Sequence, residues 1–586
     1  MARPPSVLIL TKNEEINIEA CIRTLTFSDD IVVLDSYSTD RTLELAEKFP
    51  NVRVVQRKFD TWSRHSNWAL ENIAFKNPWV YYSDADERVT PELRDEILRL
   101  INAPENACDA YRLRYKNMFL GRWLRYGGVY PVWIIRLFKP DRIRYEDREV
   151  NAHPVVTGTL GDLQGHFIHY SFNKGLIPWF TKHNSYSTME ANEAVRVRQT
   201  SIWEKLEQLK SRQPGVARRA LKDLSFFLPM RGGVRFLYMY FVRLGVLNGH
   251  AGLLYALMIS MYEYWIELKI TEREHEWKQR TEDQVRRLLA EEAGAASVTP
   301  PADETGTPLI DVVIPTYNEA THIAETVANA RQLGTVHVLD SFSTDGTQEL
   351  ARQAGAGVVE HAFESYSKQK NWGLENLPLK GKWVFILDAD ERVTPHLRDE
   401  LMRIAREENP ATGYFVNRVV VFMGRQVRHG GLYPSWNLRF FKRGACHYED
   451  RSVHEHMLCN GPTAYAHHLM VHIRRESISE YIAKHVRYAD MESEEWVKQS
   501  RNQGGGAEPG RLFKDRLAFR QMLRRKVWPR MPFKALVRFV YMYVVRLGVL
   551  DGGAGWHLAQ LMACYEFMTQ LLYTDKTRTG AADERA

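Results

Sequence analysis

The octapeptide DADERVTP occupies residues 84–91 and returns, letter for letter, at residues 388–395. In its first copy it closes the apolar run WVYYSD and opens the helical pattern TPELRDEILRLI, which puts its acids at the carboxyl end of a strand. An acidic octapeptide repeated about half a chain apart raises the question of whether the surrounding sequence is repeated too.

It is. TKNEE (11–15) lies over TYNEA (316–320), and VVLDSYSTDRT (32–42) over HVLDSFSTDGT (337–347). SNWALEN (66–72) matches KNWGLEN (370–376), RYGGVYPVWIIRLFK (125–139) matches RHGGLYPSWNLRFFK (428–442), and RYEDREV (144–150) matches HYEDRSV (447–453). RFLYMYFVRLGVLNG (235–249) matches RFVYMYVVRLGVLDG (538–552). Residue 11 falls on 316 and residue 139 on 442, so the offset drifts only from 305 to 303. Repeats of this length are whole domains, not solenoid units. Residues 291–308, EEAGAASVTPPADETGTP, read as a Pro/Ala/Thr-rich linker.

Length and composition agree with this organisation. A chain of 586 residues exceeds one ordinary core. With 44% hydrophobic and 26% charged residues it is expected to fold and not to be disordered. The five cysteines (Cys21, Cys108, Cys446, Cys459, Cys564) are scattered without zinc spacing or a disulfide framework, which favours a reducing compartment. The first apolar run is too short for a signal peptide, and no uninterrupted run of eighteen apolar residues predicts a spanning helix. A net charge of +7 is mild for this length and does not separate nucleic acid, anionic lipid and phosphorylated substrates.

Within each half, β-branched runs (SVLIL, DIVVLD, VRVVQ, WVYYSD) alternate with helical stretches. That pattern predicts an α/β fold with a parallel sheet, which binds ligands at the carboxyl ends of its strands. Asn13, Glu14, Asp35, Asp84 and Asp86 fall at such ends, and Asn318, Glu319, Asp340, Asp388 and Asp390 repeat them. If residues 84–86 are extended, both carboxylates enter one crevice, where a hard divalent cation bridging to phosphate would relieve their repulsion. The alternative is that these acids cap the helix that Thr90-Pro91 begins. Ser38-Thr39-Asp40 reads as a structural N-cap cluster. Neither GxGxxG nor the Walker lysine signature occurs, which counts against dinucleotide and ATP-hydrolysis readings.

Taken together, TKNEE/TYNEA, VLDSxSTDxT, DADERVTP, GGxYPxWxxRxFK and YEDR resemble the family 2 glycosyltransferases, in particular bacterial lipopolysaccharide-core and polysaccharide transferases. The resemblance covers nearly the whole chain, twice. It implies two tandem GT-A (Rossmann-like) domains, a nucleotide-diphosphate sugar donor, Mg²⁺ or Mn²⁺, and inversion at the anomeric carbon. It implies donor contacts at Thr11, Asn13, Glu14, Asp35 and Asp84, and at Thr316, Asn318, Glu319, Asp340 and Asp388. Asp86 and Asp390 would meet the metal and diphosphate. Inversion in one displacement needs a base opposite the departing nucleotide. Asp147 and Asp450 stand at the position resembling the family's ED motif. Glu455, in Val453-His454-Glu455, resembles a VHE motif, but the first half reads Val150-Asn151-Ala152 there. Both base assignments remain open: the former predicts two active halves, the latter an impaired first half. His153 and His456 are shared and are read as metal ligands or as structural histidines.

Downstream of each catalytic-looking region come amphipathic stretches. RLFKDRLAFRQMLRRKVWPRMPFKALVRF (511–539) holds ten Lys/Arg and one acid among aromatic and aliphatic residues, and the first half has a milder version from Arg231 to Trp265. Arg235, Arg243, Arg538 and Arg546 interrupt the apolar runs. Helices lying in an anionic headgroup layer, helices packed on the core and a nucleic-acid surface are the three readings, and no nucleic-acid module is recognisable. Lys182-His183 and Lys484-His485 are read either as contacts for an acceptor phosphate or as solvated surface. The expected layout is transferase domains at 1–200 and 309–500, helices at 201–290 and 501–575, and a tail at 576–586. The protein is expected at the inner face of the cytoplasmic membrane, extending a lipid-linked, lipopolysaccharide or exopolysaccharide acceptor, with no nucleic-acid partner. Two alternatives stand beside this: a polyprenyl-phosphate sugar transferase, or one active half with the other as a nucleotide-sugar-binding scaffold.

Overall fold

In the computed structural model the described residues are 3–146, 153–211, 214–291, 300–408, 410–449, 457–474, 476–501, 531 and 533–583. The first repeat forms β1 (Ser6–Thr11), β2 (Ile31–Asp35), β3 (Val52–Gln56), β4 (Val80–Asp84), β5 (Glu87–Val89), β6 (Ala110–Phe119), β7 (Arg122–Trp123), β8 (Trp133–Phe138), β9 (Ile143–Tyr145), β10 (Pro154–Val156) and β11 (Leu160–His169). The second repeat follows with β12 (Ile310–Thr316), β13 (Thr335–Asp340), β14 (Gly357–Glu360), β15 (Trp383–Ile386), β16 (Glu391–Val393), β17 (Gly413–Phe422), β18 (Arg425–Val427), β19 (Ser435–Lys442), β20 (Cys446–Tyr448), β21 (Met457–Cys459) and β22 (Thr463–Ile473).

The two main sheets have the same order, β3-β2-β1-β4-β8-β6-β11-β5 and β14-β13-β12-β15-β19-β17-β22-β16. β1 to β4 are parallel, whereas β8 enters antiparallel between β4 and β6, so each sheet is mixed and not purely parallel. Alternation sends Val7, Ile9, Ile31 and Val33 to one buried cluster and Leu8, Val32 and Leu34 to another. Both faces of the strands are therefore covered, which is why these segments read as continuous apolar runs. The result is the GT-A architecture, twice.

The octapeptide resolves into three pieces. Asp84 ends β4, Ala85-Asp86 turn, and Glu87–Val89 form β5. Thr90 then caps the helix Pro91–Ile101 by accepting from Leu93 N at 3.3 Å, with Pro91 in the first turn. Thr394 and Pro395 repeat this before the helix Pro395–Arg406. The helix is thus capped by threonine, a bond typically contributing ~1 kcal/mol, and the aspartates are left to other partners.

Compact units do not coincide with sequence repeats. One unit comprises the described residues within Met1–Thr271, Ile478–Gln521 and Met568–Ala586; the other those within Glu272–Ser477 and Met522–Phe567. In the first unit the helix Ile478–Arg501 lies along Leu176–Arg198, and Asn184 Nδ2 donates to Ser479 O at 2.9 Å. In the second unit the helix Trp277–Glu291 sends Val285 and Leu288 onto Val419, Val421, Val471 and Ile473. Each unit has taken in a helix encoded by the other repeat.

Contrary to the scattered-cysteine expectation, Cys446 and Cys459 face each other across β20 and β21 and are disulfide-bonded. The equivalent positions on β9 and β10 are Ile143 and Val156. No single described helix is long and apolar enough to cross a membrane; the pair Arg231–Val242 and Gly245–Glu274, bent by 74°, passes that test together.

Candidate functional site

Register brings the strand-end residues together. Thr11 pairs with Asp35 across β1/β2, and Leu10 with Asp84 across β1/β4, so three carboxyl ends open on one side of the sheet. The second unit aligns Thr316 with Asp340 in the same way.

Asp35 is fully buried and its carboxylate is engaged by Thr11 Oγ1 (3.0 Å), Ser38 N (2.8 Å) and Ser38 Oγ (2.5 Å). Asp340 is held alike by Thr316 and Ser343, with Gln348 Nε2 at 2.7 Å. Asn13 takes a left-handed backbone (φ 54°) that aims its Oδ1 at Thr39 N (2.8 Å), and Asn318 repeats this with Thr344 N at 2.9 Å. These residues shape the loop that follows β2. At its tip Tyr37 and Phe342 are also left-handed (φ 57° and 59°) and their rings are about half exposed. Left-handed backbone is unfavourable for such side chains, and both units accept it in order to hold an aromatic ring outward. Glu14 bonds Lys174 Nζ (2.5 Å) and Asn17 Nδ2 (3.0 Å); burial nevertheless raises its carboxyl above the ordinary range.

The two aspartates of the octapeptide have different fates, because the turn at Ala85-Asp86 replaces the expected extended geometry. Asp84 accepts from Arg136 Nη2 (2.5 Å) and Tyr82 Oη (2.8 Å). Arg136, buried on β8, also grips the buried Glu87. In the second unit Arg439 holds Asp388 at 2.6 Å and Glu391 at 3.3 Å. Burial works against the charge on Asp388, but Arg439 and Lys370 hold its carboxyl far below the ordinary range.

Asp86 instead meets a histidine. Its Oδ2 lies 3.3 Å from His169 Nε2 at the end of β11, and Asp390 Oδ2 lies 2.9 Å from His472 Nε2. The octapeptide backbone is clipped to the same strand ends, with Tyr170 N donating to Asp86 O at 2.9 Å and Ile473 N to Asp390 O at 2.8 Å. Burial opposes both charges, yet the mutual hydrogen bond holds Asp86 below and His169 above its usual pKa. A carboxylate oxygen and an imidazole nitrogen at this separation are a donor set that suits a divalent cation whose other ligands come from phosphate and water. Among the described residues no group of three His, Cys, Asp or Glu side chains assembles.

His153 is exposed between β9 and β10, with its carbonyl accepting from Glu146 N at 3.1 Å, and among the described residues it joins no such group. Asp147, Asp450, Glu455 and His456 lie outside the described residues. The chain entering them is pinned: Asn67 brackets Tyr145 with two bonds of 2.8 Å, and Asn371 brackets Tyr448 with bonds of 2.9 and 2.8 Å. This gives the repeated SNW/KNW asparagine its role. Sequence reasoning missed Arg136, Glu87, His169 and Tyr37. The duplication carried the signal for the first three, since Arg439, Glu391 and His472 recur at matching places.

Lys182 is exposed, whereas His183 is packed among aromatic rings. His183 stacks on Trp179 at 3.7 Å and donates from Nδ1 to Trp179 O, and His485 does likewise on Tyr481. The basic tract 511–539 lies mostly outside the described residues. Its continuation and its counterpart are informative: Phe241, Val242, Leu244 and Leu247 are about half or more exposed, as are Val544, Val545, Leu547 and Leu550. These knuckles are tied to the GGxYP loops, with Gly127 N donating to Arg243 O (2.7 Å) and Gly430 N to Arg546 O (2.8 Å).

Residues 6–159 and 311–463 each match the family described as Glycosyl transferase family 2. The chain is 27% identical over 200 residues to the lipopolysaccharide core biosynthesis glycosyltransferase LpsC of Rhizobium meliloti (strain 1021), covering 33% of this chain and 72% of that protein. It is 39% identical over 93 residues to an uncharacterized glycosyltransferase of Rickettsia bellii (strain RML369-C), covering 16% of this chain and 31% of that one. Among solved structures, the mannosyltransferase PcManGT from Pyrobaculum calidifontis, in complex with GDP-Man and Mn²⁺, aligns over 51% of this chain and 98% of its own, at 17% identity and a TM-score of 0.28.

Proposed function

The chain belongs to glycosyl transferase family 2 and carries that domain twice, and from this premise we propose that it transfers sugar from a nucleotide-diphosphate donor, with inversion, at two active sites. The acceptor is a lipid-linked glycan of the lipopolysaccharide or exopolysaccharide type, met at the inner face of the cytoplasmic membrane. The observation that carries this reading is the repeated aspartate–histidine pair, Asp86 with His169 and Asp390 with His472, beside an arginine-anchored aspartate at the same strand end.

In each site the roles divide. Asp86 and His169, or Asp390 and His472, hold Mg²⁺ or Mn²⁺, which when bound offsets charge on the departing diphosphate. Arg136 and Arg439 fix Asp84 and Asp388 beside the nucleotide sugar. Thr11 and Asp35 (Thr316 and Asp340 in the second unit) build the nucleoside loop, from which Tyr37 and Phe342 offer a ring face to the base. Asp147 and Asp450 take the acceptor hydroxyl's proton, in segments led in by Asn67 and Asn371. Glu455 is the alternative base in the second site.

The apolar knuckles support the membrane part of the reading. Residues 228–250 and 533–550 contain no acid, and their arginines suit anionic headgroups beside inserted apolar side chains. A polyprenyl-phosphate acceptor, and a scaffold role for one unit, remain the competing assignments. The test is transfer by the full chain with a panel of nucleotide sugars, comparing Asp86→Asn, Asp390→Asn and the double variant. Each single variant is expected to lose one of two transfers and the double variant both. Transfer surviving in the double variant would sink the proposal.

A further inference from the structure

The two aspartate–histidine pairs look alike, but what stands behind each histidine differs. In the first unit Ser171 Oγ lies 2.8 Å from Asn117 Oδ1. An amide oxygen only accepts, so the hydroxyl proton is committed to Asn117 and the serine lone pairs face His169. Ser171 approaches that ring most closely at Nδ1, 3.1 Å against 3.3 Å at Nε2. With a cation on Nε2 the ring proton sits on Nδ1, where Ser171 Oγ is placed to accept it. The Asp86–His169 contact at 3.3 Å would then give way to the cation, with the histidine still held from behind by Ser171.

Neither orienting residue exists in the second unit. By the repeat, Arg474 stands at the place of Ser171 and Val420 at that of Asn117. His472 Nδ1 is buried without a hydrogen-bond partner among the described residues. Two cations are added nearby. Arg418, at the place of Tyr115, brings a second guanidinium onto Glu391 at 3.2 Å. Lys370, at the place of Ser66, adds its charge beside Asp388. In the first unit Tyr115 instead lies edge-on to His169, ring centroids 5.4 Å apart.

We infer that the two donor sites bind a divalent cation unequally, tightly in the first unit and weakly in the second, with Ser171 as the positioning residue that sets the difference. The inference rests on the proposal that these pairs hold the cation. Outer hydrogen-bond partners of a ligating histidine change metal affinity by roughly 10–100-fold, and the added charges of Arg418 and Lys370 act in the same direction.

The experiment is a titration of the full chain with Mn²⁺ alone, reading free Mn²⁺ by electron paramagnetic resonance, so that it needs neither donor nor acceptor. Two classes of site are expected, about tenfold or more apart in Kd. Asp86→Asn removes the tight class and Asp390→Asn the weak one. In the Asp390→Asn background, Ser171→Ala weakens the remaining class about tenfold, while Ser171→Thr, which keeps the hydroxyl, restores it; unchanged thermal unfolding identifies the folded variants. Arg474→Ser with Val420→Asn tightens the weak class. Equal classes in the parent chain, or a tight class indifferent to Ser171→Ala, overturn the inference and leave the cation sites standing. Binding that neither aspartate substitution removes overturns the cation sites themselves.

Discussion

Arg136 serves two carboxylates at once, with its guanidinium buried between Asp84 and Glu87. Removing it leaves Glu87, only 1% exposed, without a counter-charge. A buried pair broken on one side typically costs ~3–5 kcal/mol, so Arg136→Met is expected to lower the unfolding free energy of the first unit, read by urea titration, by an amount of that order. Arg439→Met is expected to cost less, because Arg418 still reaches Glu391; equal losses in the two urea titrations would contradict this. Tyr37 offers a second test. Its left-handed backbone carries strain of ~1 kcal/mol, so Tyr37→Gly is expected to leave thermal stability intact while raising the donor KM several-fold. A KM unchanged in steady-state kinetics would remove the aromatic from the donor site.

At the level of elements, the helix Leu176–Arg198 and the apolar knuckle make separable predictions. Burial, with a smaller push from Lys182, brings His183 down to about 4 from the usual 6.5, although the Trp179 carbonyl pulls the other way. Its folded pKa is depressed, so between those values the unfolded chain binds the proton and the folded chain does not. Stability is therefore complete above about pH 6.5 and falls as pH drops toward 4, by ~2 kcal/mol at pH 5. Thermal unfolding at pH 7 and pH 5 checks this, with His183→Phe expected to flatten the difference. The knuckle is judged by vesicle sedimentation. Phe241→Glu with Leu244→Glu is expected to weaken binding to anionic vesicles while neutral vesicles bind little in either form. Undiminished sedimentation would show that another surface meets the membrane.

Over the whole molecule, repeat and unit are different partitions of one chain. The first unit contains helix Ile478–Arg501, against which Asn184 is bonded. Within that unit Lys269 is buried and ties Asn184, Ser187 and Thr188 together at 2.6–2.8 Å. Ending the chain after residue 474 is therefore expected to destabilise the first unit although its own repeat is untouched. Limited proteolysis is the readout: new early cleavage within residues 176–271 is expected, and a first unit as resistant as in the full chain would contradict the exchange. Activity assays on separately expressed halves would accordingly test folding before they tested catalysis.

Much of the site was legible as sequence because strand ends are encoded locally. Apolar β-branched runs bury both faces, and the polar residue after each run must stand at the sheet's edge; Asn13, Asp35, Asp84 and their repeats follow from that alone. Partnership was not legible. Arg136 lies 52 positions from Asp84 and His169 lies 83 from Asp86; β8 and β11 bring them together only because one enters the sheet antiparallel beside β4 and the other pairs with β5. The chain's sequence determined that there are two similar transferase domains with acids at their strand ends. Tertiary structure decided which acid an arginine neutralises, which a histidine meets, and which helices complete each unit, because charge pairing and apolar burial depend on distance in space and not along the chain.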